Sequence, residues 1–356
     1  ASGKSQCAVL DAHVLKERRV LSTRQTSPNE TIEGIQILRA VASMMVVVHH
    51  ATHSVPGAHW LPFGGAGVDI FFVISGYVMA HTTQGMSPGK ETASRFIRKR
   101  IARIVPLYWL ATLWVTRRTP PDLNLVKDFL FIPHYNAQYP EMINPILIQG
   151  WTLNYEMLFY GLFAFCLLFP RRLAILIATL AVLPLLGSLL PAEFGKFYGS
   201  DIILEFGFGV LLQMAVARWG MPQWSRASWL VLMGIGFAGL IAGYALEPRS
   251  VTQGLPALLI VWSSIKACEG WLKIKTLKLL GDASYAIYLF HWPSFGAVKP
   301  LTALLGPEWI TTLMLAHILT AAVSGCLIHL IIEKRLTNLA NVWLGLKPRP
   351  RLAYAP

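Results

Sequence analysis

The chain reads as an all-α, polytopic membrane helix bundle of about ten transmembrane helices, with both termini in the cytoplasm. Three observations carry this reading. Hydrophobic residues make up 54% of the 356-residue chain and charged residues only 14%, where an average soluble protein carries about 25%. Ten apolar stretches approach the roughly 17–25 residues that cross a hydrocarbon core. The cations are segregated: with the N-terminus inside, 24 Lys and Arg fall in inside segments and 6 in outside loops, and Arg39 completes the 31. Such an excess on one side sets orientation, and two termini on that side require an even number of spans.

The stretches follow in order at about 36–53, 66–82, 102–117, 150–169, 173–190, 200–217, 228–246, 251–267, 281–298 and 309–332. Several are short or interrupted by Pro, Gly or polar residues. The first, third and ninth are the least apolar, and they hold most of the chemistry. Residues 1–34 are polar and mixed and lack the apolar core of a signal peptide, so they are expected to form a cytoplasmic tail. Residues 35–335 form the transmembrane domain, and 336–356, rich in Pro, Lys and Arg, a second cytoplasmic tail. Neither an internal repeat nor a separate soluble domain is recognisable. The net charge of +13 is therefore topology, with membrane lipid and an anionic ligand as partners and no nucleic acid. Cys7, Cys166, Cys268 and Cys326 share no metal or redox spacing and read as small apolar packing residues.

Four constellations stand out. In the first stretch Arg39 and His50 are eleven residues apart. On a helix that is about three turns, one face and roughly 16 Å along the axis; His49 points about 100° away. Ionisable groups inside a bilayer are costly and are functional candidates. His49 and His53 are four apart with His59 following, but no acid or Cys stands nearby in sequence, and no metal is expected. At the basic mouth of the third stretch Arg100 and Arg103 share a face. A guanidinium binds phosphate as a bidentate fork, whereas simple anchoring to the membrane surface accounts for Arg95, Arg98 and Lys99. The fourth stretch opens Trp151-Thr-Leu-Asn-Tyr155-Glu156, placing a carboxylate about a turn and a half in, where it needs an Arg, a His or a ligand hydroxyl. In the ninth stretch Ser284, Tyr288 and His291 form a polar stripe, either a seam between helices or a cavity wall, and Pro293 kinks or ends the helix.

Together and in this order, these motifs resemble the acyltransferase-3 family of membrane-bound acyltransferases. The resemblance covers about 33–335. It rests on Arg39 and His50; on Gly67-Val-Asp69 through Ser75-Gly76-Tyr77; on Arg100, Arg103, Pro106 and Tyr108; on Trp151, Leu153, Glu156, Phe159 and Tyr160, with Thr152 where Ser is also common; and on Gly281, Ser284, Tyr285, Tyr288 and His291. Members that decorate bacterial exopolysaccharides are the most alike, and the attached esterase-like domain of some relatives is not seen. The resemblance implies a multi-pass protein of the bacterial inner membrane. It implies transfer of a short acyl group, acetyl by default, from acyl-CoA to a carbohydrate hydroxyl, on a lipid-linked or polymeric acceptor. His50 is then the general base, neutral near pH 7, Glu156 orients it or binds acceptor hydroxyls, and Arg39 holds the thioester end or the oxyanion. Arg100, Arg103 and Tyr108 bind the coenzyme, and Trp151, Tyr155, Ser284, Tyr288 and His291 line the acceptor cavity. The long 118–149 loop and Gly64-Gly65 are expected to shape the acceptor entrance. A transporter or flippase of a polar or lipid-linked solute is the rival class; it lacks the expected inverted repeat and leaves the basic motif unexplained.

Overall fold

A computed structural model describes residues 33–58, 61–118, 120–136 and 138–346. The expected N-terminal tail, the end of the C-terminal tail, Cys7 and His59 lie outside the described residues. The elements in order are α1 (Glu33–Ser54), α2 (Gly67–Thr82), α3 (Lys90–Thr116), α4 (Leu123–Phe129), α5 (Trp151–Cys166), α6 (Arg172–Val182), α7 (Ala192–Tyr198), α8 (Leu204–Trp219), α9 (Arg226–Ala242), α10 (Leu255–Ala267), α11 (Lys275–Phe295), α12 (Lys299–Leu304), α13 (Ile310–Ile328) and α14 (Lys334–Trp343). No strand forms among the described residues beyond an isolated antiparallel bridge between Tyr135 and Ile143. The protein is all-helical. Each of the ten apolar stretches overlaps a helix, and four helical segments, Glu33–Ser54, Pro62–Thr82, Asp201–Trp219 and Ile310–Trp343, are long and apolar enough to cross a membrane.

The boundaries differ from the hydropathy pattern where polar side chains stay helical. The third stretch begins a dozen residues early: α3 starts at Lys90 and carries the whole basic motif on one helix, passing through Pro106. Pro293 lies within the last turn of α11, which ends at Phe295. The last helix passes through a π-helical turn at His329–Glu333 and continues as α14 to Trp343, into residues read from sequence as tail.

Packing is set by small residues. Without water between helices, close van der Waals contact is the main source of association, and glycine allows it. At the α2–α8 crossing a Cβ on Gly76 would lie 2.0 Å from the Phe206 carbonyl oxygen, and one on Gly209 would lie 2.0 Å from the Val73 oxygen. Phe206 then stacks between Phe72 and Phe159, with ring centroids at 4.5 and 4.4 Å. α1 runs among α2, α10, α11 and α13. Its contact with α11 is close because Gly281 has no side chain: a Cβ there would sit 2.4 Å from the Gln36 carbonyl oxygen. Beside it Gln36 Nε2 donates to Asp282 Oδ1 at 2.6 Å. These contacts bring Arg39, one turn further along α1, against the face of α11.

A buried ion pair ties α2 to the segment before α10. Arg249 donates through Nε and Nη2 to both oxygens of Asp69, at 2.9 and 2.8 Å. Asp69 is fully buried, so the pair is held by bidentate geometry. Because the α2–α8 crossing is limited by backbone atoms, Gly76→Val is expected to destabilise the fold by about 3 kcal/mol, the upper end of ordinary overpacking. The thermal unfolding midpoint of the detergent-purified variant should fall clearly below wild type; an unchanged midpoint contradicts the crossing.

Candidate active site

A cavity of about 1780 Å³ opens at the basic end of the bundle, where the α2–α3 connection meets α14. Nine Lys and Arg residues line it against four carboxylates, a balance that concentrates anions. Its depth follows from α11: Lys278 and Tyr288 both lie on the wall and are ten residues, about 15 Å, apart along the axis.

The middle of the cavity holds a charged cluster. Ser75 Oγ donates to Glu156 Oε1 at 3.0 Å and Tyr160 OH to Oε2 at 3.2 Å. The charges of Arg39 and Arg103 act on Glu156, and that of Glu333 acts on Arg39. Arg39, Arg103, Glu156 and Glu333 all reach the cavity wall, from α1, α3, α5 and the π-helical turn. Arg100 lies beside the rings of Phe96 and Tyr160, at 5.6 and 5.9 Å from their centroids. The helix phase that puts Arg100 and Arg103 on one face is thus the phase that faces the cavity. Arg98 is an anchor, donating to the Leu344 carbonyl at 2.9 Å.

At the inner end the polar stripe of α11 divides. Ser284 and Tyr288 line the cavity, whereas His291 is fully buried behind them. Tyr288 OH donates to the Gln149 carbonyl at 3.0 Å and is 2.8 Å from Thr152 Oγ1. These bonds form a polar neck between α5 and α11. Beyond it lies His50, half-buried and outside the cavity wall. The His50 and His291 rings are 4.9 Å apart, and Trp292 meets His50 edge-on at 5.6 Å. His50 Nδ1 is 3.0 Å from the Val46 carbonyl. A carbonyl only accepts, so Nδ1 carries the hydrogen and Nε2 presents its lone pair. His291 is set the same way by the Tyr288 carbonyl at 2.6 Å.

Several sequence expectations are corrected by this geometry. Glu156 does not orient His50: its partners are Ser75 and Tyr160, and the Val46 carbonyl orients the imidazole. Arg39 shares a helix face with His50, but three turns and the neck separate them, so the two cannot contact one carbonyl carbon. Tyr108 is fully buried, stacked on Phe131 at 4.6 Å, and has no place on the cavity wall. Trp151 and Tyr155 are also off the wall: Trp151 packs on Phe72, and Tyr155 stacks on Phe197 while donating to its carbonyl. Ser75 and Tyr160 enter the sequence pattern only as motif members, and His329 and Glu333 do not enter it; their one sequence signal is an i, i+4 His/Glu pair closing the last apolar stretch. Among the described residues no group of three or more His, Cys, Asp or Glu side chains converges to hold a metal.

The 118–149 segment covers Tyr108 at the far end of α3. Asp128 and His134 are buried there, Asp128 Oδ1 3.5 Å from His134 Nε2. His134 Nδ1 is held by the Ile132 carbonyl at 3.0 Å, so a lone pair faces the carboxyl. Burial raises the Asp128 pKa to about 7, with Asp122 adding and the Ile146 N–H opposing. A carboxyl raised on folding contributes stability below its unfolded pKa, near 4, that is lost as pH rises through about 7. Proteolysis within 118–149 should therefore quicken between pH 4 and 7 in wild type and stay flat in Asp128→Asn. An identical pH response in the two proteins contradicts this packing.

The chain is an all-helical bundle among the described residues, with a basic cavity at one end and a histidine pair beyond its inner wall. Residues 32–331 match the acyltransferase domain model of the acyltransferase-3 family, and the chain belongs to that family. It is similar to the exopolysaccharide production protein ExoZ of Rhizobium meliloti, with 33% identity over 78% of this chain and 91% of that one. It is also similar to the acyltransferase MdmB of Streptomyces mycarofaciens, 23% identical over 77% and 81% of the two chains. The O-acetyltransferase OatA of Staphylococcus aureus is 25% identical over 74% of this chain and half of its own length. No solved structure matches. The protein is an enzyme of the acyltransferase class that transfers groups other than aminoacyl groups.

Proposed function

We propose that this enzyme moves a short acyl group, acetyl in the first instance, from acyl-CoA to a hydroxyl of a bacterial cell-surface or exopolysaccharide sugar. It does so from ten spans in the cytoplasmic membrane, with both termini and the cavity mouth facing the cytoplasm. The single observation that supports the reading is the basic cavity that ends at the Thr152–Tyr288 hydrogen bond, with His50 on the far side of it. The mouth side is also the side rich in Lys and Arg, which agrees with a cytoplasmic location. Coenzyme A is a cytoplasmic polyanion, and Arg100 and Arg103 offer its phosphates charge-assisted hydrogen bonds. The name of the exopolysaccharide production relative supports a carbohydrate acceptor.

The donor enters from the basic mouth with its acyl end leading. Arg39 and Arg103, balanced by Glu156 and Glu333, grip the arm, and the thioester displaces the Thr152–Tyr288 hydrogen bond to reach His50. The acceptor hydroxyl approaches from the other side. His50 Nε2 takes its proton as the oxygen attacks the thioester carbon; the C–S bond breaks and the thiolate leaves as CoA. This route needs no covalent acyl-enzyme: Ser54 and Ser294, the hydroxyls near the two imidazoles, donate to the backbone carbonyls of His50 and His291.

Purified wild type should transfer label from acetyl-CoA to a polysaccharide-repeat lipid. Arg103→Ala should raise the acetyl-CoA KM about tenfold, the worth of one charge-assisted hydrogen bond, with the acceptor KM within about twofold. Absence of transfer from any short acyl-CoA by folded wild type removes acyl-CoA as the donor. A KM change confined to the acceptor removes Arg103 from the donor site.

A further inference from the structure

The π-helical turn at the end of α13 carries a dyad that the mechanism above leaves unused. His329 Nδ1 lies 2.7 Å from Glu333 Oε2. Both residues are only 7% exposed, and both line the cavity. The turn itself is a reason to look for function, since π-helical turns within α-helices recur at functional sites. The carboxylate accepts, so Nδ1 carries a hydrogen, which in the neutral imidazole is the ring's single N–H. His329 Nε2 is left with a lone pair, buried and without a hydrogen-bond partner. Buried polar atoms are nearly always paired in native structures, so an unpaired acceptor on a cavity wall marks where a ligand donates.

The chemistry of that ligand group is narrow. A phosphate oxygen offers a lone pair and is repelled; an N–H or O–H is accepted. Glu333 also acts electrostatically on Arg39, which sets the dyad at the level of the charged cluster, deeper than the basic mouth. Between its diphosphate and its thioester, acyl-CoA carries two amide N–H groups as well as a hydroxyl. We propose that His329, its tautomer held by Glu333, accepts a hydrogen bond from a pantetheine amide of the donor and so sets how far the thioester reaches. This assignment rests on acyl-CoA being the donor. His329 is a binding residue here and Glu333 a positioning residue.

The test is CoA affinity by calorimetry on the purified protein, using CoA and two analogues in which one or the other amide N–H is replaced by an ester oxygen. Wild type should bind one analogue about five- to tenfold more weakly than CoA, the range of a single hydrogen bond. His329→Ala should bind CoA weakly by the same factor and lose the discrimination. Glu333→Leu removes the acceptor that holds the Nδ1 hydrogen and should weaken the discrimination, whereas Glu333→Gln, whose amide oxygen still accepts from Nδ1, should keep it. Retained discrimination in folded His329→Ala overturns the proposal. So does an unchanged CoA affinity with a raised acceptor KM, which would give the donated hydrogen to the sugar. Absence of CoA binding by folded wild type overturns the donor reading and this assignment with it.

Discussion

The charge of Arg39, carried inside the first helix of an apolar bundle, is the constraint around which the rest of the structure is arranged. An isolated cation there would be expensive. Glu333 on the π-helical turn and Glu156 on α5 partly offset that cost, and Arg103 on α3 adds to it. Four helical segments must therefore converge at one depth. The close α1–α11 approach at Gly281 and the Ser75 and Tyr160 hydrogen bonds to Glu156 are what allow that convergence. Arg39, Arg103, Glu156 and Glu333 all reach the wall of the same cavity.

The same arrangement separates the charged residues from the two histidines. The basic mouth and the charged cluster occupy one end, and the His50–His291 pair occupies the other. Thr152, Tyr288 and the Gln149 carbonyl stand between them. Backbone carbonyls one turn back hold both imidazoles in the tautomer that leaves Nε2 free, which keeps a base ready without any acidic partner. A donor arriving from one side and an acceptor from the other would meet at this neck, so that water has no wide path between the two faces. The enzyme class follows from family membership; the division of labour between the two ends is the proposal that this geometry supports.

Much of this was legible in the sequence, for reasons that can be named. Apolar runs mark helices because a single segment in lipid satisfies its own backbone only as a helix, and each run overlaps a helix, the fifth only as far as Val182. Arg39, Arg103 and Glu156 stood out because charge in such a run has a steep cost, and all three meet in the cavity. Side-chain direction across helices was less accessible. Tyr108 follows Arg103 by five residues, and that phase turns it away from the cavity and under Phe131. Tyr155 precedes Glu156 directly and so points to a different neighbour. The His329–Glu333 pair was hidden because the π-helical turn changes the register just where hydropathy ends. Arg249 is the partner of Asp69 across 180 residues, a long-range pairing that no local pattern contains.

The most direct test of the account is single-turnover transfer of labelled acetyl from acetyl-CoA to a polysaccharide-repeat lipid, by purified wild type and by His50→Gln of equal CoA affinity. The account predicts label on the acceptor with wild type, none retained on the protein, and a rate lower by about 10²–10⁴ in the variant, the usual contribution of a general base. Transfer at the wild-type rate by His50→Gln, or acetyl trapped on the histidine, would contradict it.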